Sequence, residues 1–229
     1  MLRIITDGET TNDDIPYADS AMEMNNEFSI ATWGMQDDSD SSGNGHHLSG
    51  SLTFNEFGIV TAAANGRIAT GLVDASEFTM VLAINMQNIS AAGNLISNLM
   101  GANTPFSGFR IVISATGTIS VSVGSTSGNS NRLSLGGGTG AWTCFAVSVK
   151  DDLINARRSN GDVYSLAVDG RIPGTLPMYI NGAPDGSPLA AGVQGNFGML
   201  AYYDHFYSSA DCAPLIADMI MIMRERGAF

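Results

Sequence analysis

Lysine is nearly missing from this chain: among 10 basic residues only Lys150 is a lysine, against 22 aspartates and glutamates. The resulting formal charge of −12 repels phosphate backbones, so nucleic acid is not an expected partner. No polybasic run or basic amphipathic helix points to a membrane surface either. Cysteine is scarce as well. Cys144 and Cys212 stand far apart, fit neither a zinc-site spacing nor a disulfide framework, and read as free thiols. Long apolar runs are lacking: the most apolar stretch, Leu215 to Met223, is interrupted by Asp218 and falls short of the roughly 20 residues that span a bilayer. The opening residues MLRIITDGETTNDD hold one arginine and no apolar stretch of signal-peptide length, which predicts a chain made and kept in a cytoplasm.

What is present points to strands. The 229 residues are 44% hydrophobic and only 14% charged, with 27 glycines, a balance of short strands and turns rather than surface helices. A chain of this length buries a substantial core without disulfide or metal support. Alternation of period two recurs between Gly, Asn and Ser clusters. Phe28 to Trp33 reads as a short strand, followed by the turn-rich run Asp37 to Gly45. Phe78 to Asn85 is apolar on both faces and reads as a central strand. Phe109 to Ser114 and Thr118 to Val123 flank a three-residue connection ending in Gly117 and predict a hairpin. Trp142 to Lys150 sets Phe145, Val147 and Val149 against Cys144, Ala146 and Ser148, with the heavier face toward the core. Met178 to Asn181 turns at Asn181-Gly182. Leu215 to Met223 fits strand or helix; Ile216, Ile220, Ile222 and the lack of an evident N-cap favour strand.

Several of these segments carry a resemblance. Asp40-Ser41-Ser42-Gly43-Asn44-Gly45-His46-His47, Phe78-Thr79, Gly108-Phe109-Arg110-Ile111, Trp142 with Ala146-Val147, Met178 to Gly182, and Ile216 to Met219 follow one another in order. Together they resemble the concanavalin A-like lectin/glucanase superfamily, and within it the laminin-G-like jelly rolls. The resemblance implies an all-β antiparallel jelly-roll β-sandwich over 28–223, preceded by an acidic arm at 1–27 and followed by a tail at 224–229. Two departures stand out: an insertion at 151–177 where the family has a short hairpin, and a chain end without the short helix that often follows the closing strand. Such relatives serve as sugar-binding modules, as enzymes and as phage tail, fibre or capsid-surface proteins.

Glycoside hydrolysis needs two carboxylates flanking the scissile bond. None of the six glutamates shares a strand-like segment with a second acid at a suitable spacing, and no nucleophile elbow precedes a usable histidine, so no catalytic residue is expected. Tyr202, Tyr203, His205 and Tyr207 form an aromatic cluster that reads either as a stacking platform for sugar rings or as a loop packed on the sandwich or a neighbouring subunit. Asp37, Asp38, Asp40 and Asn44 are the densest oxygen supply for calcium; the other reading is a solvated turn whose side chains satisfy their own backbone. Met219, Met221 and Met223 suit a core or an interface. The leading expectation is a non-enzymatic structural protein of an oligomeric assembly, a bacteriophage virion component whose partners are its own copies and other virion proteins. In that expectation the terminal segments lie across neighbours. The alternative is a module that binds a cell-surface polysaccharide.

Overall fold

The alternation resolves into fourteen strands in a computed structural model, which describes residues 20–62, 66–101, 105–126 and 131–229. In chain order they are β1 (Ser29–Trp33), β2 (Phe54–Asn55), β3 (Gly58–Thr61), β4 (Ile68–Ala69), β5 (Phe78–Met86), β6 (Gly93–Ser97) and β7 (Phe109–Ile113). There follow β8 (Thr118–Val123), β9 (Asn131–Gly137), β10 (Thr143–Lys150), β11 (Leu153–Arg158), β12 (Val163–Ala167), β13 (Tyr179–Ile180) and β14 (Gly195–Tyr203). A large sheet runs β12-β11-β10-β5-β14-β3-β2, with β1 also paired to β14; a small sheet runs β4-β13-β6-β7-β8-β9. Both are antiparallel, and together they form a jelly-roll β-sandwich.

The core lies between the sheets. Phe78, Met80, Leu82 and Ile84 of β5 and Phe145, Val147 and Val149 of β10 face Phe109, Ile111 and Ile113 of β7 and Ile119, Val121 and Val123 of β8. Phe78 meets Phe109 edge-on at 5.0 Å and stacks on Tyr202 at 5.4 Å. The opposite faces of the central strands are covered too. Val81, Ala83, Cys144, Ala146, Met199 and Tyr203 pack under a C-terminal helix, α1 (Cys212–Glu225), and a 3-10 turn at Ser20–Met24. Coverage on both sides explains why Phe78 to Asn85 is almost continuously apolar. Both cysteines are free and buried in this outer layer.

The helix corrects the strand expected at Leu215 to Met223. Its buried residues, Cys212, Ile216, Met219, Ile222 and Met223, recur at helical spacing, so one face lies on the large sheet. Pro214 sits in the first turn, where a missing N–H costs no internal bond. The start signal is Ser208: its hydroxyl accepts from the Asp211 amide at 3.2 Å and donates to the Asp211 carboxylate at 2.5 Å. At the other end Gly227, with φ 76°, and Ala228 close a Schellman motif, their amides donating to Arg224 O and Met223 O.

The described parts of the segments expected to reach across neighbours pack on this chain. Ala21 and Met24 are buried against the chain's own outer layer, as is Ala228 of the tail. Arg226 donates to the carbonyls of Gly34 at 2.6 Å and Gly198 at 2.9 Å. Residues 1–19 of the expected arm lie outside the described residues. The insertion at 151–177 supplies β11 and β12, a hairpin that widens the large sheet. Its remainder carries Arg171, which pairs with Asp74 at 2.7 Å while Asn98 and Gly174 donate to the same carboxylate. Arg158, at the end of β11, bridges the layers by donating to Leu135 O and Gly137 O of β9 at 3.0 and 2.6 Å.

Candidate functional site

The tyrosines expected to form a sugar platform are mostly structural. Tyr202 and Tyr203 close β14 with 2% and 0% of their surface exposed, one in each layer. The hydroxyl of Tyr202 accepts from Ala75 N, and that of Tyr203 donates to Met24 O. Burial pushes both phenols well above the ordinary tyrosine range. These two are corrected from platform to core: a strand end between two covered faces has no ring face left for a ligand. His205 and Tyr207 stay half-exposed, yet Phe28 stacks on His205 at 4.3 Å and Tyr207 meets it edge-on at 4.7 Å, so the rings mainly serve one another.

The loop considered for calcium spends its polar atoms on itself. Asp40 is buried and accepts from Thr32 N, Ser42 N, Ser42 Oγ and His46 N at 2.9 to 3.0 Å. Burial raises its pKa, but these donors outweigh that and hold the carboxyl below the usual carboxylate range. Asp37 accepts from Ser39 N, and Asn44 donates to Ser29 O and Ile30 O. Asp37 and Asp38 remain exposed. Among the described residues no three His, Cys, Asp or Glu side chains converge as a metal group.

A different cluster stands at the end of the large sheet, beyond the C-terminus of α1. Thr143 pairs with Ile84, so the preceding Trp142 comes level with Asn85, and Asn85 pairs with Asn196 of β14. Asn55 Nδ2 donates to Asn196 Oδ1 at 2.8 Å, extending the amide row toward β2. Asn55 Oδ1 in turn accepts from Phe57 N and Gly58 N, each at 3.0 Å, fixing the turn that presents Phe57. Gly58 is needed there: a Cβ would collide with the Phe197 carbonyl.

Trp142 is half-buried between Phe57 at 6.0 Å and Phe229 at 6.2 Å. Its indole rests on Gly198, the residue of the β14 bulge between Phe197 and Met199, where a Cβ would lie 2.7 Å from the ring. Phe229 is 43% exposed. Asn85 Oδ1 is shielded and has no hydrogen-bond partner among the described residues. Aromatic surface beside planar amides offers apolar stacking together with directional donors and acceptors. Trp142 was legible in the sequence only as the start of a strand, and the asparagines carried no signal because pairing, not sequence proximity, assembles them.

No protein-family model matches the sequence, and no curated protein matches it. Solved structures match its fold. The botulinum neurotoxin serotype D binding domain superimposes with a TM-score of 0.61 at 11% identity over 88% of this chain and 53% of that one. Domain 4 of AbnA, a GH43 extracellular arabinanase from Geobacillus stearothermophilus, in complex with arabinotriose, gives 0.61 at 15% identity over 82% of this chain and 98% of that one. A Trypanosoma rangeli sialidase mutant gives 0.62 at 10% identity over 85% and 33%. The chain therefore spans about half the length of the neurotoxin binding domain. At these identities the likeness is one of architecture: this chain has the β-sandwich fold found in the AbnA domain and the neurotoxin binding domain.

Proposed function

We propose that the chain is a carbohydrate-binding module that takes an oligosaccharide at the Trp142 patch. The observation that carries this reading is the half-exposed Trp142, flanked by Phe57 and Phe229 and level with the Asn85, Asn196 and Asn55 amides. Sugar rings present C–H faces to aromatic rings and hydroxyls to amides, so the two halves of the patch match the two kinds of sugar surface. Hydrolysis would need a pair of carboxylates about the bond; the polar side chains level with Trp142 are the amides of Asn85, Asn196 and Asn55. The reading is therefore one of binding rather than cleavage.

The virion expectation receives less support, because residues 20–24 and the 224–229 tail, offered as arms across neighbours, pack on this chain. The test is calorimetry of the purified chain against a panel of neutral oligosaccharides, arabinotriose among them, with Trp142→Ala as the site variant. Binding that weakens at least about tenfold in the variant, equivalent to about 1.4 kcal/mol, supports the assignment. Affinity unchanged by Trp142→Ala, or no binding across the panel, would overturn it.

A further inference from the structure

Two arginines stand together on the outer face of the small sheet. One cross-strand row runs Ala69, Tyr179, Ser97, Arg110, Ser122, Arg132, each residue in register with the next. Register partners share a face. The residues beside them along each strand, such as Ile111, Val121 and Leu133, lie in the core, so this row points away from it.

Among the described residues, no acid in these rows balances its charges. The adjoining row, Asn94, Val112, Ser120 and Ser134, holds no acid, and neither does this one. Asp185, near the Tyr179 end, is already gripped by Arg67 through bonds of 2.8 and 2.9 Å, with the Arg67 guanidinium 4.7 Å from the Tyr179 ring. Arg132 donates to Ser120 Oγ at 3.0 Å. Arg110 Nε and Ser122 Oγ are shielded and lack hydrogen-bond partners among the described residues, and Ser122 is fully buried. Burial, and then the proximity of Arg132, lower the Arg110 pKa. In a chain with 22 acids and 10 bases, two neighbouring cations with no acid beside them in these rows of the described residues run against the overall balance. An oxyanion from outside would remove the repulsion.

We propose that Arg110, Ser122 and Arg132 form a receptor for an oxyanion carried on a sugar, a carboxylate or a sulfate ester. The anion chemistry stands on these three residues; the sugar rests on the carbohydrate-binding reading. Guanidinium forks match such oxyanions through paired N–H donors, and the Ser122 hydroxyl adds another donor between them. The site lies on the sheet opposite the Trp142 patch, so the two fail or succeed separately.

The test is an NMR titration of the full chain, following arginine Nε–H signals, with glucuronate, glucose and inorganic sulfate as probes and sodium chloride as the ionic control. Glucuronate and sulfate should move the Arg110 Nε–H signal, glucose should not, and added salt should weaken the response. Arg132→Gln, at an exposed position, should reduce glucuronate affinity about tenfold, and Ser122→Ala should also weaken it. Absence of a response to both glucuronate and sulfate, or a response unchanged in Arg132→Gln, overturns the proposal. A response to sulfate but not to glucuronate supports the sulfate-ester form of the proposal when a sulfated monosaccharide competes with the free ion, and overturns the proposal when none competes. Glucuronate binding that survives Trp142→Ala while neutral glycan binding is lost supports both sites as distinct. Loss of the neutral reading alone leaves the arginine response intact and so is told apart from failure here.

Discussion

Asp74 and Arg171 meet at 2.7 Å with 0% and 1% of their side chains exposed, joining the segment before β5 to the loop after β12. Arg171 also donates to Ser76 O and Ala75 O, and Asn98 ties the carboxylate to the end of β6. Removing one partner leaves a buried charge uncompensated, at about 3–5 kcal/mol. Asp74→Ala should lower the unfolding free energy by that order in urea titrations. The Asp74→Ala/Arg171→Ala double variant should lose clearly less than the two single losses added together; strict additivity would mean the pair is not coupled.

Asp40 predicts an acid-side dependence of stability. Its folded pKa is depressed, so its contribution is fully present above the unfolded carboxylate value of about 3.9 and disappears as pH falls through the folded value. Asp40→Asn should therefore be less stable than the parent near neutrality, and the gap in Tm should shrink as the pH is lowered. A gap of constant size from neutrality into the acid range would show that the carboxylate charge plays no part.

The C-terminal segment offers a direct contrast between helix and strand. Met219 is fully buried whereas Met221 is 50% exposed. A strand would place both on one face. Met219→Ala should cost about 2–5 kcal/mol, and Met221→Ala less than about 0.5 kcal/mol, in chemical denaturation. Equal losses would contradict the helical packing.

Gly198 sets the seat of Trp142. A methyl at this position would meet the indole and the end of Met223. Gly198→Ala should cost about 1–3 kcal/mol by overpacking and lift the indole outward. With Trp33 buried in the core, the change should register as a red shift and stronger quenching of the tryptophan emission. An unaltered spectrum would place the indole elsewhere.

The strands best read from the sequence are those whose alternation reports a single buried face or two. The Phe109–Ile113 and Thr118–Val123 hairpin and the central Phe78–Met86 strand emerge where expected because their neighbours lie close in sequence or impose burial on both sides. The helix was missed for a physical reason: a run of Ile and Met satisfies either period, and its start at Ser208 stands four residues ahead of the first helical residue, outside the apolar run. Tyr202 and Tyr203 fitted either a platform or a packed loop, because the outer layer that covers Tyr203 is built from segments distant in sequence, Ser20–Met24 and the C-terminal helix. The Trp142 patch was illegible because β5, β10, β14 and the β2–β3 turn must pair before its residues meet.

Arg158 has a consequence beyond joining the layers. β9 is the last strand of the small sheet, and unpaired carbonyls on such a border are a template for an incoming strand. By occupying Leu135 O and Gly137 O, the guanidinium denies an invading backbone its acceptors along that stretch. Extension of the small sheet by a further strand is thereby opposed at this border.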